Sequence, residues 1–326
     1  MNNSFGNNFR IDIYGGSHTE SLGVVITGVP AGIALTESDF EADLSRRRSG
    51  AKGTTPRREG DVPHIISGVE GGVTTGEKVE IRFYNENTRS GDYDKLRNHP
   101  RPSHADLTAR HKYGDDFDLR GGGIFSGRMT LLLVAAGVVA KKITSQAQYA
   151  SHIVEIGGCK DSEQFETVVA AAQREGDSVG GVIECCVTGA GRDLGEPFFD
   201  SVESVAAHLL FAVPAVKGVE FGSGFAGVAL RGSERNDRII DGNGTTATNH
   251  EGGINGGITN GNPIVVRVAV KPTPSIAQPQ NTYNFATQSV ENLTIGGRHD
   301  ACIVLRCGVV IEAVMAIALA ELTLSL

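Results

Sequence analysis

The sequence predicts an α/β (α+β) fold with pseudo-symmetric halves, and three observations predict it. Short alternating or continuous apolar stretches of strand length recur along the chain. Segments with helical spacing stand between them. Both halves follow one plan of hairpin, basic loop and long apolar helix. No low-complexity linker divides the chain, so residues 1–326 read as a single domain.

Phe9 to Tyr14 alternates apolar and polar residues, as a half-buried strand does. Gly15 and Gly16 interrupt it, and Leu22 to Val29 resumes as a strand, giving a hairpin with SHTES on its connection. Pro30-Ala31-Gly32 is a turn. Thr36 suits a helix N-cap, Glu37 and Asp39 suit the first turn, and Phe40 and Leu44 give an inner face. That helix runs into Arg46-Arg47-Arg48. Ser49 to Pro63 reads as an exposed loop, Val79 to Tyr84 as a strand, and Asn85 to Pro102 as a second polar loop. Ser126 to Ser145 is apolar almost all round, so a central helix is expected there.

Beyond Tyr149 the reading is strand (His152 to Ile156), helix (Ser162 to Arg174), strand (Val179 to Val187), helix (Ser201 to Ala212) and strand (Val216 to Phe221). A glycine- and asparagine-rich loop covers Gly242 to Asn262, and Ile264 to Val270 is a further strand. Val309 to Leu326 is mostly apolar, but Glu312 and Glu321 interrupt it, which fits a buried helix better than a membrane span.

Bulk composition narrows the function. The net charge of −8 argues against general nucleic-acid or anionic-membrane binding, since both favour a basic surface. Five cysteines without a CxxC pair imply neither a disulfide framework nor a zinc site, and a reducing, cytoplasmic location follows. The N-terminus has no charged-then-apolar signal pattern. The 43 glycines are about twice the usual share and point to tight turns or close backbone approach to a ligand.

Several motifs can carry chemistry. Gly15-Gly16-Ser17-His18 at a strand end fits nucleophilic catalysis or a turn with a solvent-facing histidine. Arg46, Arg47, Arg48, Lys52, Arg57 and Arg58 can hold phosphate or carboxylate, or serve a cationic helix C-terminus. In Arg101-Pro102-Ser103-His104-Ala105-Asp106, His104 can be an acid or base, or a capping residue before a short helix. Arg120-Gly121-Gly122-Gly123-Ile124-Phe125-Ser126-Gly127-Arg128 joins a flexible backbone to a helix start, which suits an anion, although it lacks the GKS or GKT ending of a nucleotide P-loop. NHEGGINGGITNG, Lys271-Pro272-Thr273-Pro274-Ser275 and Arg298-His299-Asp300 repeat the theme of arginine, histidine and glycine on loops. Together they describe a small phosphorylated anion held among loops.

Read in order, YGGSHTESLG, DLSRRRSGAKGTTPRRE, RPSHADLTARHKYG, RGGGIFSGRMTLLLVAAGVVAKK, NHEGGINGGITNGNPI, VAVKPTPSI and GRHDACIVLRCGVVIEA resemble the chorismate synthase family, across nearly the whole chain. The resemblance implies a sandwich of antiparallel sheets around central helices, assembled as a homotetramer. It implies 1,4-anti elimination of phosphate from 5-enolpyruvylshikimate 3-phosphate, with reduced FMN required and no net redox change, and a link to NADP. No nicotinamide fingerprint or extra domain is visible, so reduced flavin is expected from an external source.

Position by position, the resemblance implies that His18 protonates the leaving phosphate and His104 serves the reduced flavin. Asp300 aligns with the aspartate linked to proton removal, and Ser17 and Ser126 with serines of a proton relay. Arg47, Arg101, Arg128 and Arg298 align with arginines near substrate or cofactor. Ile124, Phe125, Ser126, Ala215, Gly256, Lys271, Pro272, Thr273, Pro274, Ser275 and Arg298 fall on flavin-binding positions, and no metal site is implied. The chain departs from the family pattern at Gly16 (usually glutamate), Thr19 and Ser103 (both usually glycine) and Ile124 (usually polar). Those departures favour an alternative, a non-catalytic or impaired flavin- or anion-binding relative. Retention of His18, His104, Asp300 and the arginines favours the enzyme.

Overall fold

The computed structural model describes residues 3–50, 53–54, 59–86, 94–114, 116–296 and 299–326. The first half contains strands β1 (Ser4–Phe5), β2 (Arg10–Tyr14) and β3 (Ser21–Thr27), helix α1 (Glu41–Arg47), strands β4 (His64–Ser67), β5 (Val69–Glu70), β6 (Val73–Thr74) and β7 (Val79–Tyr84), and helices α2 (Asp106–Tyr113) and α3 (Thr130–Ile143). The second half contains β8 (Gln148–Ile156), α4 (Phe165–Arg174), β9 (Gly181–Thr188), α5 (Val202–Ala212), β10 (Val216–Phe221), α6 (Gly232–Arg235), β11 (Ile254–Asn255), β12 (Ile258–Thr259), β13 (Ile264–Val270), β14 (Gln280–Asn284), β15 (Ser289–Leu293) and α7 (Gly308–Thr323).

Alternation decides the sheets. In β13 every second residue is buried, from Ile264 to Val270, and β7 repeats this with Val79, Ile81 and Phe83. The inner faces of two antiparallel sheets, ordered β1-β2-β3-β7-β4 and β10-β13-β9-β8, enclose a helical layer. Within it α3 packs on α7, α3 meets β3 of the first sheet, and α7 meets β8 and β9 of the second. The apolar residues form a continuous core from Phe9 to Leu322. Each half therefore supplies one sheet and one long buried helix, although the strand orders differ.

The two central helices approach closely because Gly137 lacks a side chain: a Cβ there would lie 2.4 Å from the Ala313 Cβ. Buried charge then anchors α7. Glu321 accepts the backbone N–H groups of Asn7, Asn8 and Phe9 at 2.6–2.9 Å, tying the last helix to the start of β2. No helix among the described residues is long and apolar enough to cross a membrane.

Differences from the sequence expectation have local causes. The helix expected from Ser126 begins as a 3-10 turn, with the Ser126 hydroxyl accepting the Arg128 N–H, and becomes α-helical at Thr130. The loop between Ser49 and Pro63 is not wholly exposed: Asp61 is 4 % exposed, drawn inward by two arginines. The β14–β15 hairpin was unexpected because QNTYN and SVENL show no clean apolar alternation.

Candidate active site

The termini of several elements converge on a cavity of about 940 Å³. His18 comes from the β2–β3 turn, Arg47 from the end of α1, His104 from the approach to α2, and Ser126 from the start of the 3-10 turn before α3. Ala215 lies between α5 and β10, Lys271, Thr273, Pro274 and Ser275 follow β13, and Asp300 precedes α7. Arg101, Ile124, Phe125 and Arg128 complete the expected residues on the wall. Ser17 is fully buried beside His18. Pro272 and Gly256 do not line the cavity, and Gly256 stands in the β11–β12 turn with open space where a Cβ would be. Arg298, Lys52, Arg57 and Arg58 lie outside the described residues.

The triple glycine is the centre of this construction. Gly121, Gly122 and Gly123 take φ values of 61°, 86° and 54°, a left-handed run that only glycine adopts without strain. The turn runs close to both histidines. A Cβ on Gly121 would sit 2.2 Å from His18 Cε1, and one on Gly122 would sit 3.6 Å from His104 Nε2. The Gly123 carbonyl accepts the Ser17 N–H at 3.2 Å and so fixes the turn to the hairpin.

Around the turn the charge is positive. Among the described residues Arg47, Arg48, Arg101, Arg128, Lys217, Lys271 and Arg306 line the cavity against three carboxylates, Glu59, Asp61 and Asp300. Asp61 is shared: Arg128 Nη1 donates to it at 2.8 Å and Arg47 Nη1 at 3.4 Å. Arg47 also donates to Thr130 Oγ1 and to the carbonyls of Gly127 and Arg128. Burial lowers its pKa to about 9, with the positive charges of Arg306 and Arg128 adding to the effect, yet it remains cationic near neutrality. Arg128 Nε donates to Asn85 Oδ1, while its Nη2 is buried with no acceptor among the described residues. A buried cationic donor without an acceptor costs free energy that a bound anion would recover.

Arg101 is arranged differently. Its Nε and Nη2 donate to Asp106 at 2.7 Å each, and its Nη1 donates to Ser275 Oγ at 3.0 Å. Arg306, which no sequence reading singled out, donates to Asp300 Oδ2 at 2.7 Å. Its only sequence signal is its place six residues after Asp300 in the same conspicuous run. His299 also lines the cavity, and burial lowers its pKa, so its ring is neutral near pH 7.

Gly16, Thr19, Ser103 and Ile124 are each accommodated in the structure. A Cβ at Gly16 would meet nothing nearer than 3.5 Å. Thr19 closes its own turn: its hydroxyl accepts the Gly16 N–H at 2.8 Å and lies within hydrogen-bond reach of the Gly16 and Ser21 carbonyls. Ile124 packs against the core. Ser103 is the strained position, with φ 59°. Its carbonyl accepts Lys271 Nζ at 2.8 Å, an interaction glycine would retain. Ser103→Gly is therefore expected to stabilise the protein by about 0.5–1 kcal/mol. Urea unfolding checks this as a higher midpoint at unchanged slope.

A cation-rich cavity lined by His18, His104 and an ion-paired carboxylate has the groups of an acid–base enzyme for an anionic substrate. The comparisons agree. The family model for chorismate synthase matches residues 9–324. A chorismate synthase from Chitinophaga pinensis is 57 % identical over 324 residues, covering 99 % of this chain and 96 % of the relative. One from Dehalococcoides mccartyi is 44 % identical, covering 99 % and 97 %. A crystal structure of chorismate synthase superposes with a TM-score of 0.76 at 27 % identity, covering 98 % of this chain and 93 % of the other. The chain belongs to the chorismate synthase family, and its enzymatic class is that of a phosphate-eliminating lyase.

Proposed function

We propose that the cavity binds 5-enolpyruvylshikimate 3-phosphate together with reduced FMN and releases phosphate by 1,4-anti elimination, giving chorismate. One observation carries this reading: His18 and His104 line one cation-rich cavity, each against a neighbouring glycine of the same turn. The substrate has a phosphate and two carboxylates, which matches the excess of cations. The cavity residues also fit FMN: Ile124, Phe125, Val213 and Pro214 offer apolar wall, while Arg128 and Lys271 offer charge for a phosphate.

In this reading Arg47, Arg128 and Arg298 bind the anionic groups. Arg101, committed to Asp106 and Ser275, orients its neighbours and adds charge. His18 holds the proton that the departing phosphate takes, and Ser17, buried beside it, belongs to that relay. His104 with Ser126, and Asp300 with Arg306, handle protons on the flavin side. Ala215, Lys271, Thr273, Pro274 and Ser275 form the flavin wall, while Pro272 and Gly256 stand off it. The chemistry that bound reduced FMN supplies is transient electron density, with no net redox change. Reduced flavin comes from an external source.

The continuous core supports a single domain over residues 1–326. Phe198, Phe199, Phe225 and Val228 are each more than three-quarters exposed, which supports an interface with other copies; a homotetramer in the cytoplasm is the assembly proposed, and native mass spectrometry tests its stoichiometry. The decisive assay is anaerobic, with dithionite-reduced FMN: chorismate and phosphate form together, and neither forms with oxidised flavin. Absence of chorismate under those conditions would overturn the reading. His104→Ala is expected to lower kcat more than about tenfold while leaving the unfolding midpoint near that of the parent. Normal turnover would remove His104 from the mechanism.

A further inference from the structure

Asp106 begins α2, is 4 % exposed and lies two residues from His104. Its Oδ1 is 2.6 Å from His104 Nδ1. We propose that Asp106 is a positioning residue for the elimination: it holds the His104 proton on Nδ1 and leaves Nε2 as the ring nitrogen that exchanges a proton with the bound reactants. The proposal rests on the placement of His104 at the reacting centre given above.

Two groups compete for Nδ1. Arg101 Nη2 stands 3.0 Å away and can only donate, whereas the ionised Asp106 carboxylate can only accept. A neutral imidazole nitrogen satisfies one of them. The carboxylate is closer, and the guanidinium already has acceptors in Asp106 and Ser275. Nδ1 therefore carries the hydrogen, and Nε2 keeps its lone pair.

Asp106 is suited to this task. Burial alone would raise its pKa, but Arg101 and His104 overcome that and hold the carboxyl well below the usual range. It stays ionised at neutral pH, and its Oδ2 is fixed by the Arg101 side chain and backbone N–H. A histidine held by a carboxylate at one nitrogen cannot flip its ring or its tautomer, so the other nitrogen keeps both its position and its protonation role. Gly122 leaves the space beside Nε2 free of a side chain.

Histidine-selective 15N labelling of the full-length protein reads the tautomer directly, with His104→Gln identifying the His104 signals. In alkaline buffer, where imidazoles are neutral, the expected spectrum shows Nδ1 protonated and Nε2 bare. Asp106→Asn is expected to shift the tautomer population toward Nε2–H and lower kcat about tenfold or more. KM should move by less than about threefold, and adding His104→Gln to Asp106→Asn should cost little further, because the two residues act as a unit. A wild-type spectrum with the proton on Nε2 overturns the proposal, whether or not the variant folds. An Asp106→Asn protein with parental tautomer and turnover overturns it as well. Full turnover in His104→Gln alone has a separate meaning: it removes His104 from the chemistry, and the positioning role falls with it even where the tautomer is as expected.

Discussion

Gly121→Ala is expected to lower kcat by about 100-fold, the cost of misplacing a reacting group by roughly 1 Å. The added methyl would stand 2.2 Å from His18 Cε1, 2.3 Å from His18 Nδ1 and 2.7 Å from Ser17 Oγ. Ser17 is fully buried and cannot retreat, so the imidazole must turn away from its working position. The backbone adds a strain of about 1–2 kcal/mol, because φ at this residue is 61°. Gly16→Ala is the matched control: its nearest neighbours would be at ordinary contact distance, 3.5 Å, and its turnover should stay close to the parent's. Steady-state kinetics with reduced FMN on both variants checks the contrast. Equal activities would show that the glycine turn does not set the His18 position.

The second large effect concerns stability. Glu312 is 1 % exposed one turn into α7 and accepts Arg46 Nη1 and Nη2 at 2.7 Å each, the Ser151 hydroxyl at 2.6 Å and the Ser151 N–H at 3.1 Å. Lys141 stands 3.6 Å away. Glu312→Ala orphans donors from α1 and β8 at once and is expected to cost about 1–3 kcal/mol, less than for a fully buried pair because the Arg46 side chain is 48 % exposed and can rehydrate, yet still a sizeable part of a total stability of about 5–15 kcal/mol. Urea denaturation measures it, and a loss under about 1 kcal/mol would contradict the buried network as drawn.

The pH dependence has a definite sign. Burial opposes ionisation of Glu312, but Arg46 and Ser151 outweigh it, so its folded pKa lies below the ordinary glutamate value. A depressed folded pKa means that the unfolded chain takes up the proton first as pH falls. The contribution of Glu312 is therefore complete above about pH 4.3 and declines as pH drops through the folded value. The stability gap between the parent and Glu312→Gln should be constant near neutrality and narrow in acid.

Strands whose burial follows a simple period were legible with their boundaries: Val79–Tyr84, Val216–Phe221 and Ile264–Val270 form as expected. The short strands His64–Ser67, Val69–Glu70 and Val73–Thr74 were not, since two to four residues carry no period. In the site, His18, His104 and the glycine run were conspicuous because loops seldom concentrate such residues without use. Asp61, Arg306 and Asp106 were not, because a charged residue in a polar stretch has the same sequence appearance whether it is solvated or buried.

The sequence by itself determined the family, the succession of the longer strands and central helices, and which histidines and arginines stand out as candidates for a site. Those follow from local patterns and from motifs in a set order. Only the tertiary structure decided the pairings: Asp61 between Arg47 and Arg128, Asp106 against His104, Arg46 on Glu312 across 266 positions of chain, and Gly121 under His18. Each is a matter of a few ångströms between groups brought together by packing. Coulomb and hydrogen-bond energies depend on that separation and on the exclusion of water, and neither quantity is written in the local order of residues.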